Sequence, residues 1–160
     1  MTANPATDDD RIAGSKILVI DDNPQNLELV VAYLDTLDCE VSTAADGIKA
    51  LERIADDPPD LIVLDIMMPR MSGFEVCRKL KTDPKTRDIP ILMVTALKEM
   101  ADIERGVESG TDDFISKPVN RLELTTRVKT LLRVRHLKNE LDRTLAYLSE
   151  VEAGQRAAAP

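Results

Sequence analysis

The sequence predicts an α/β protein of the doubly wound class, with a five-stranded parallel sheet and an extended C-terminal helix. Five short apolar runs alternate with amphipathic stretches, two of those runs contain no alternating polar residues, and the last stretch is too long for a compact domain. Runs without alternation are typical of strands that helices cover on both faces. Strands that alternate with helices then form a layered fold with right-handed crossovers.

The predicted strands are short runs of strand length, bounded by helical stretches and loops. They cover residues 16–20, 40–43, 61–64, 91–94 and 113–116. The third and fourth runs are apolar throughout, which indicates strands that are buried on both faces. The residues before Lys16 are polar and lack periodicity, so residues 1–15 are predicted to form a flexible tail.

Helical stretches separate these strands. After Pro24, a residue favoured in the first turn of a helix, apolar residues recur at helical spacing as far as Leu37. A second helix is predicted over residues 47–56. A third opens at Ser72, which has a glutamate three residues later as in a capping box, and continues to Leu80.

The last two helical stretches differ from the others. The fourth, at about residues 99–109, has only Ile103 and Val107 as strong apolar anchors. The fifth begins after Asn120, a predicted cap, and continues without a helix breaker to about Val151. At 1.5 Å per residue its length is roughly 48 Å, about twice what a compact domain needs.

The C-terminal half of this last helix carries a second apolar pattern, with the three-four spacing of a short coiled coil. Its residues are Val134, Leu137, Leu141, Thr144, Leu148 and Val151, with Leu145 alongside. We therefore predict a globular domain over residues 16–132, a helical extension over 133–152 that forms a parallel homodimer, and a disordered tail over 153–160. The single histidine, His136, is predicted to be a solvated residue of this helix.

The charge of the chain restricts its partners. It carries 21 basic and 29 acidic side chains, which give a formal net charge of −8. This excess of negative charge disfavours direct binding to nucleic acid or to an anionic membrane, and it favours a protein partner. The N-terminal residues lack the apolar run of a secretory signal, and no run is long enough to span a bilayer. We therefore expect a cytoplasmic protein.

Polar side chains follow four of the predicted strands. Asp21 and Asp22 follow the first, Asp65 the third, Thr95 the fourth and Lys117 the fifth. In an open α/β sheet these strand ends share one edge, and ligands bind there. In the flavodoxin-like order 2-1-3-4-5, which is borrowed from known proteins of this class, the first and third strands are neighbours, so the three aspartates converge.

Three adjacent carboxylates repel one another unless a cation lies between them, and oxygen ligands without His or Cys favour Mg²⁺. Magnesium prefers one or two carboxylates together with a phosphate oxygen, so the predicted site is incomplete without a phosphoryl group. Asp65 is the natural nucleophile for an aspartyl phosphate, with the metal and Lys117 stabilising the transferred group. The Thr95 hydroxyl can donate a hydrogen bond to that group, and this contact would exist only after phosphorylation.

Four motifs in chain order resemble the response-regulator receiver domain of two-component signalling. They are Ile20-Asp21-Asp22, Leu64-Asp65-Ile66-Met67-Met68-Pro69 with Met71-Ser72-Gly73, Val94-Thr95-Ala96 and Ser116-Lys117-Pro118. The resemblance extends from Lys16 to about Leu132. It includes chemotaxis-type receivers and receivers linked to cyclic-dinucleotide synthases, so the long helix is similar to connectors that lead to an output domain.

The resemblance implies a role for each site residue. Asp65 takes a phosphoryl group from the phosphohistidine of a histidine kinase or phosphotransfer protein. Asp22, Asp65 and the backbone carbonyl of Met67 bind Mg²⁺, and Asp21 acts largely through water. Lys117 pairs with the phosphoryl group, and the Lys117-Pro118 bond is cis.

The resemblance also implies a route for the signal. Thr95 moves toward the phosphoryl group, and Phe114 matches the family's switch aromatic, three residues before the lysine. Without a hydroxyl, Phe114 can report only by packing, and ordinary core packing is the competing interpretation. The surface that changes comprises the fourth helix, the fifth strand and the fifth helix. Met67 and Leu97 provide no polar group to position water, which leads us to hypothesise slow self-dephosphorylation in a regulatory domain rather than an enzyme.

Other functions fit the sequence less well. A magnesium phosphatase of the haloacid dehalogenase type needs a second Asp two residues after its nucleophile, where Met67 stands. A flavin-binding module is disfavoured because Asp21 and Asp22 would repel its phosphate. A degenerate receiver that serves only as a coiled-coil scaffold is disfavoured because every acceptor and metal residue is present.

Overall fold

The computed structural model describes residues 7–96 and 100–158. Within them, strands and helices alternate along the chain. The strands are β1 (Lys16–Ile20), β2 (Glu40–Ala44), β3 (Leu61–Asp65), β4 (Ile91–Thr95) and β5 (Asp113–Ser116). The helices are α1 (Asp8–Ile12), α2 (Pro24–Leu34), α3 (Gly47–Asp56), α4 (Gly73–Thr82), α5 (Met100–Ser109) and α6 (Arg121–Ala158).

The five strands form one parallel sheet in the order β2-β1-β3-β4-β5, as predicted. Ile17 of β1 pairs with Val41 of β2 on one side and with Leu61 of β3 on the other. Every residue of β3 and β4 is buried, which explains why neither run alternates with polar residues. Because β1 and β3 are neighbours, the residues at their carboxyl ends come together.

Helices cover both faces of the sheet, so there are two apolar cores. On one face, α3 and α4 pack on strand residues such as Leu18, Ile62 and Met93. On the other face, α2 and α6 pack on residues such as Val19 and Val63. Successive strand residues therefore enter different cores, as the period of two along a strand requires.

Side-chain caps define the starts of several helices. Oγ of Ser72 accepts a hydrogen bond from the Glu75 N–H at 3.3 Å, and Oδ1 of Asn120 accepts one from the Glu123 N–H at 3.0 Å. Both residues satisfy N–H groups that the first helical turn leaves without a backbone partner. The helix starts predicted at these two positions are confirmed.

Helix α5 corrects one expectation. Its predicted anchors are exposed, Ile103 at 42% and Val107 at 63%, whereas Gly106 and Ser109 are buried. The apolar residues lie on the outer face because α5 approaches the sheet through small residues. The hydrophobicity pattern alone therefore predicts the wrong buried face for this helix.

The N-terminal segment also differs from the prediction, because α1 forms within the expected flexible tail. Thr7 and Asp10 form a capping box, and Ile12 is only 3% exposed. Asp9 lies 3.4 Å from Nζ of Lys129 in α6. One turn of helix is too short to show periodicity, and part of its stabilisation comes from distant residues such as Lys129, 120 positions after Asp9.

His136 takes part in the same N-terminal contact. The buried Ser15 hydroxyl lies 2.8 Å from Nε2 of His136. His136 is half-buried, whereas a solvated residue was predicted. The hydrogen bond connects α6 to the chain just before β1.

Helix α6 has a docked part and a projecting part. Leu124, Val128 and Leu132 are fully buried, and Nζ of Lys138 contacts Oδ1 of Asp88 at 2.7 Å. Beyond that contact the side chains of the predicted seam are exposed, with Leu141 at 57%. The helix continues through Ala158, where a disordered tail was predicted from residue 153. Among the described residues, no helix has both the length and the apolar character needed to cross a membrane.

Candidate functional site

Three aspartate side chains meet at the carboxyl-terminal edge of the sheet. Asp21 and Asp22 follow β1, and Asp65 is the last residue of the neighbouring β3. Each provides a carboxylate oxygen, and these three oxygens lie within 4.8 Å of one another. Asp21 and Asp65 are buried and Asp22 is exposed, so the cluster opens to solvent on one side.

A lysine ammonium lies against this cluster. Nζ of Lys117 is 3.1 Å from Oδ1 of Asp65 and 3.7 Å from Oδ2 of Asp21. The backbone N–H of Asn23 donates to Oδ1 of Asp21 at 2.9 Å, and the Asn23 side chain caps α2. One ammonium does not neutralise three carboxylates, so the cluster keeps a net negative charge.

The environment of Asp65 opposes its ionisation. Burial raises the pKa of the Asp65 carboxyl above its ordinary value, and the charge of Asp21 raises it further, while the hydrogen bond and charge of Lys117 act in the opposite direction. An additional cation would therefore stabilise the ionised form of Asp65. The site is therefore electrostatically suited to a metal ion.

The donor set fits Mg²⁺ in particular. The cluster consists only of carboxylate oxygens, without a His or Cys ligand among them, and hard oxygen donors are those that Mg²⁺ prefers. The exposure of Asp22 leaves space for the water molecules that Mg²⁺ retains.

The loop after Asp65 follows a constrained path. Arg70 has a φ of 68°, in the left-handed region that side chains other than glycine rarely adopt. The N–H of Gly73 donates to the carbonyl of Ile66 at 2.9 Å. A Cβ added at Gly73 would overlap the carbonyl oxygen of Asp65, so α4 starts directly against the backbone of this residue.

Thr95 and Phe114 lie on the two strands beyond β3. Thr95 is buried at the end of β4, and its carbonyl accepts a hydrogen bond from the Lys117 N–H at 2.8 Å. In the sheet register Thr95 pairs with Ser116, and Met93 pairs with Phe114. Thr95 and Phe114 therefore face the same side of the sheet. The Lys117-Pro118 peptide bond is cis, as the resemblance implied.

A cavity of about 450 Å³ lies beside Asp65, between α2 and the residues that precede α6. Its apolar wall includes Leu29, Val30, Tyr33, Pro118 and Val119, and its polar end is formed by Asp21, Asp65 and Lys117. The buried carboxylate is therefore approachable from a space large enough for a side chain of another molecule.

Two features of this site could not be predicted from the sequence. Tyr33 lines the cavity from α2, but its position in the sequence is that of any partly apolar helix residue. Gly73 belongs to a recognised motif, yet only the structure shows which backbone atoms it approaches. Leu97, one of the residues expected to influence dephosphorylation, lies outside the described residues.

Comparison with known proteins identifies the family. Residues 17–129 match the response regulator receiver domain. This chain belongs to the receiver domain family. The match includes the aspartate cluster, Thr95, Phe114 and Lys117, so the whole candidate site lies within the receiver domain.

Two curated relatives are longer than this chain. Response regulator PleD of Caulobacter vibrioides is 49% identical over 127 residues, which make up 79% of this chain and 28% of PleD. The DNA-binding dual master transcriptional regulator RpaA of Synechocystis is 44% identical over 118 residues, 74% of this chain and 49% of RpaA. The receiver domain thus spans less than half the length of either relative.

Solved structures show the same fold. A response regulator structure from Chloroflexus aurantiacus has a TM-score of 0.72 and 33% identity, and the match covers 74% of this chain and 98% of that one. The receiver domain of sensor histidine kinase PA1611 from Pseudomonas aeruginosa has a TM-score of 0.70 and 31% identity, over 75% and 98% of the chains. That structure has a magnesium ion coordinated in its active-site cleft.

Proposed function

We propose that this receiver domain is a phosphorylation-dependent switch whose Asp65 accepts a phosphoryl group from the phosphohistidine of a histidine kinase or phosphotransfer protein. The observation that carries the proposal is the buried Asp65 carboxylate, 3.1 Å from Lys117 and within a cluster of three aspartates. Receiver domains of response regulators are regulatory modules, so the product is a signalling state rather than a released metabolite.

In this proposal an Asp65 carboxylate oxygen attacks phosphorus, the bond from phosphorus to the donor imidazole breaks, and the imidazole leaves. Asp22, Asp65 and the backbone carbonyl of Met67 would hold Mg²⁺, and Asp21 would act largely through water. Bound Mg²⁺ would supply positive charge that stabilises the negative charge of the phosphoryl oxygens. Lys117 neutralises charge on the same group, and the cavity beside Asp65 provides the approach for the donor.

The output is proposed to pass through Thr95 and Phe114 to the surface of α5, β5 and α6. Thr95 would move toward the phosphoryl oxygens, and Phe114 would change its packing. A partner or an output domain beyond α6 would respond to that surface, in a cytoplasmic protein. The net charge of −8 supports protein partners over direct contact with nucleic acid or a membrane.

The proposal is tested by treating the wild-type protein with acetyl phosphate in Mg²⁺ or in EDTA, followed by peptide mass spectrometry. We expect one phosphoryl adduct, on Asp65, that forms only with Mg²⁺. The adduct should persist for longer than seconds, because the exposed side chain of Met67 has no strong hydrogen-bonding group that could position water. An intact protein without any adduct would instead favour the scaffold function.

We further propose that two copies associate in parallel through the projecting part of α6. The seam is unpartnered in one chain, with Leu141 at 57% and Leu148 at 50% exposure, and a continuous exposed apolar seam is typical of a helix that pairs. The predicted result is a dimer in light scattering that the variant Leu141→Glu/Leu148→Glu converts to a monomer.

The matched control for this experiment is Glu150→Ala, which changes an exposed residue of the same helix outside the seam. It should leave the dimer intact, and both variants should still form the adduct on Asp65. A wild-type protein that is monomeric both with and without beryllium fluoride would contradict the dimer proposal.

A further inference from the structure

Glycine at position 106 has no local explanation in the backbone of α5. Gly106 lies inside the helix, where glycine is less favourable than alanine because it loses more conformational freedom on folding. Its φ is not in the left-handed region, unlike the φ of Gly110, which is 93° and accounts for the glycine at that position. The reason for Gly106 must therefore be steric.

The steric reason is the ring of Phe114. A Cβ added at Gly106 would overlap Cζ and Cε1 of Phe114 and lie 3.5 Å from Cε2, and these three ring atoms are its nearest neighbours outside the helix. The ring thus lies directly on the backbone of α5. This contact also explains why Gly106 and Ser109, rather than Ile103 and Val107, form the buried face of the helix.

Helix α5 is attached to α4 on both sides of Gly106. The guanidinium of Arg105 lies 4.6 Å from the ring centroid of Phe74, and the thiol of Cys77 donates to the carbonyl of Ser109 at 3.4 Å. These contacts resist movement of α5 away from the sheet. The half-buried ring of Phe114 has more freedom, so an added Cβ would displace the ring rather than the helix.

We propose that Gly106 is a positioning residue for Phe114: its missing side chain provides the space in which the ring packs against α5. Any side chain at position 106 would hold the ring away from α5, whether or not Asp65 is phosphorylated. The effect of Gly106 on signalling rests on the proposed function, in which the signal reaches the surface of α5, β5 and α6 through Phe114.

The first test is a double-mutant cycle that joins Gly106→Ala with Phe114→Ala, measured by thermal unfolding. We expect Gly106→Ala to lower the melting temperature when Phe114 is present and to raise it when Phe114 is replaced by Ala. The sign changes because alanine favours the helix once the ring no longer occupies the space. A higher melting temperature in both backgrounds would overturn the inference. Gly154→Ala is the control, because a Cβ added at this glycine of α6 would meet no atom within 4 Å apart from its neighbours and the backbone of its own helix. It should change the melting temperature in the same direction whether or not Phe114 is present.

The second test detects the ring itself. The chain has only two phenylalanines, Phe74 and Phe114, so fluorinated phenylalanine gives two resonances that a Phe114→Leu variant assigns. We expect the Phe114 resonance of Gly106→Ala to be displaced from its wild-type position before any phosphodonor is added. An unchanged resonance would overturn the inference.

The adduct on Asp65 is measured separately in the same proteins. Labelling of the wild type together with an unchanged Phe114 resonance in Gly106→Ala would reject the positioning role and leave the proposed function intact. Absence of labelling in the wild type would reject the proposed function, whereas the coupling between Gly106 and Phe114 would still be measurable.

Discussion

Asp65→Asn is expected to abolish phosphorylation and at the same time to raise the melting temperature of the Mg²⁺-free protein. The carboxylate is buried beside Asp21, and the amide removes a charge without changing the size of the side chain. Lys117 keeps Asp21 as a neighbour at 3.7 Å. We expect a gain of roughly 1 kcal/mol, the order of magnitude for relieving an incompletely paired buried polar group, or about 2–4 °C for a chain of this size.

This gain should depend on pH. Because the pKa of Asp65 is raised in the folded protein, the folded state binds its proton more tightly than the unfolded state does. The stability contributed by that proton is present at low pH and is lost as the pH rises through the folded pKa. The difference in stability between Asp65→Asn and wild type should therefore be largest above the folded pKa of Asp65. It should shrink below the ordinary pKa of an aspartate carboxyl.

Asp112→Asn is the matched control for this variant. Asp112 accepts hydrogen bonds from the Ile91 N–H at 2.7 Å and from Nζ of Lys81 at 2.8 Å. It does not belong to the aspartate cluster. Its replacement should lower stability and leave labelling of Asp65 unchanged. An adduct that still formed on Asp65→Asn would show that Asp65 is not the acceptor. A loss of stability like that of Asp112→Asn would contradict the expected relief of an unfavourably buried charge.

Gly73→Ala is expected to damage both the fold and the site. The added Cβ would overlap the carbonyl oxygen of Asp65 and approach Cα of Ile66 to 2.8 Å, and neither backbone atom can rotate away. Overpacking of this kind costs about 1–3 kcal/mol. Because the strain falls on the backbone of the phosphoacceptor, we expect labelling to slow by about a hundred-fold, the effect of a misplacement of roughly 1 Å.

The measurements are chemical denaturation and the rate of adduct formation from acetyl phosphate. Gly154→Ala provides the comparison, since its Cβ would meet no atom within 4 Å apart from its neighbours and the backbone of its own helix. That variant should be neutral or more stable by up to about 1 kcal/mol, with unchanged labelling. A Gly73→Ala protein that matches it in both measurements would show that the loop after Asp65 adapts without moving the acceptor.

Much of the fold could be predicted because the relevant signals are local. The apolar runs of β3 and β4 indicate burial on both faces. Ser72 and Asn120 mark helix starts because each side chain accepts a hydrogen bond from the N–H of the residue three positions later. The aspartates, Thr95 and Lys117 were recognised because each stands at the end of a predicted strand. The motifs in which they occur resemble one family, and the comparisons identify that family.

The remaining features depend on contacts between residues that are distant in sequence. Helix α1 is too short for a periodic signal and gains its contacts from α6, while His136 gains its hydrogen bond from Ser15. The buried face of α5 is made of small residues because Phe114 occupies the space beside Gly106, which no hydrophobicity pattern encodes. The sequence by itself determined the five strands, the helices that follow them, their parallel arrangement and the chemistry of the strand ends. Only the tertiary structure decided which surfaces touch, because close packing depends on the shape of both partners.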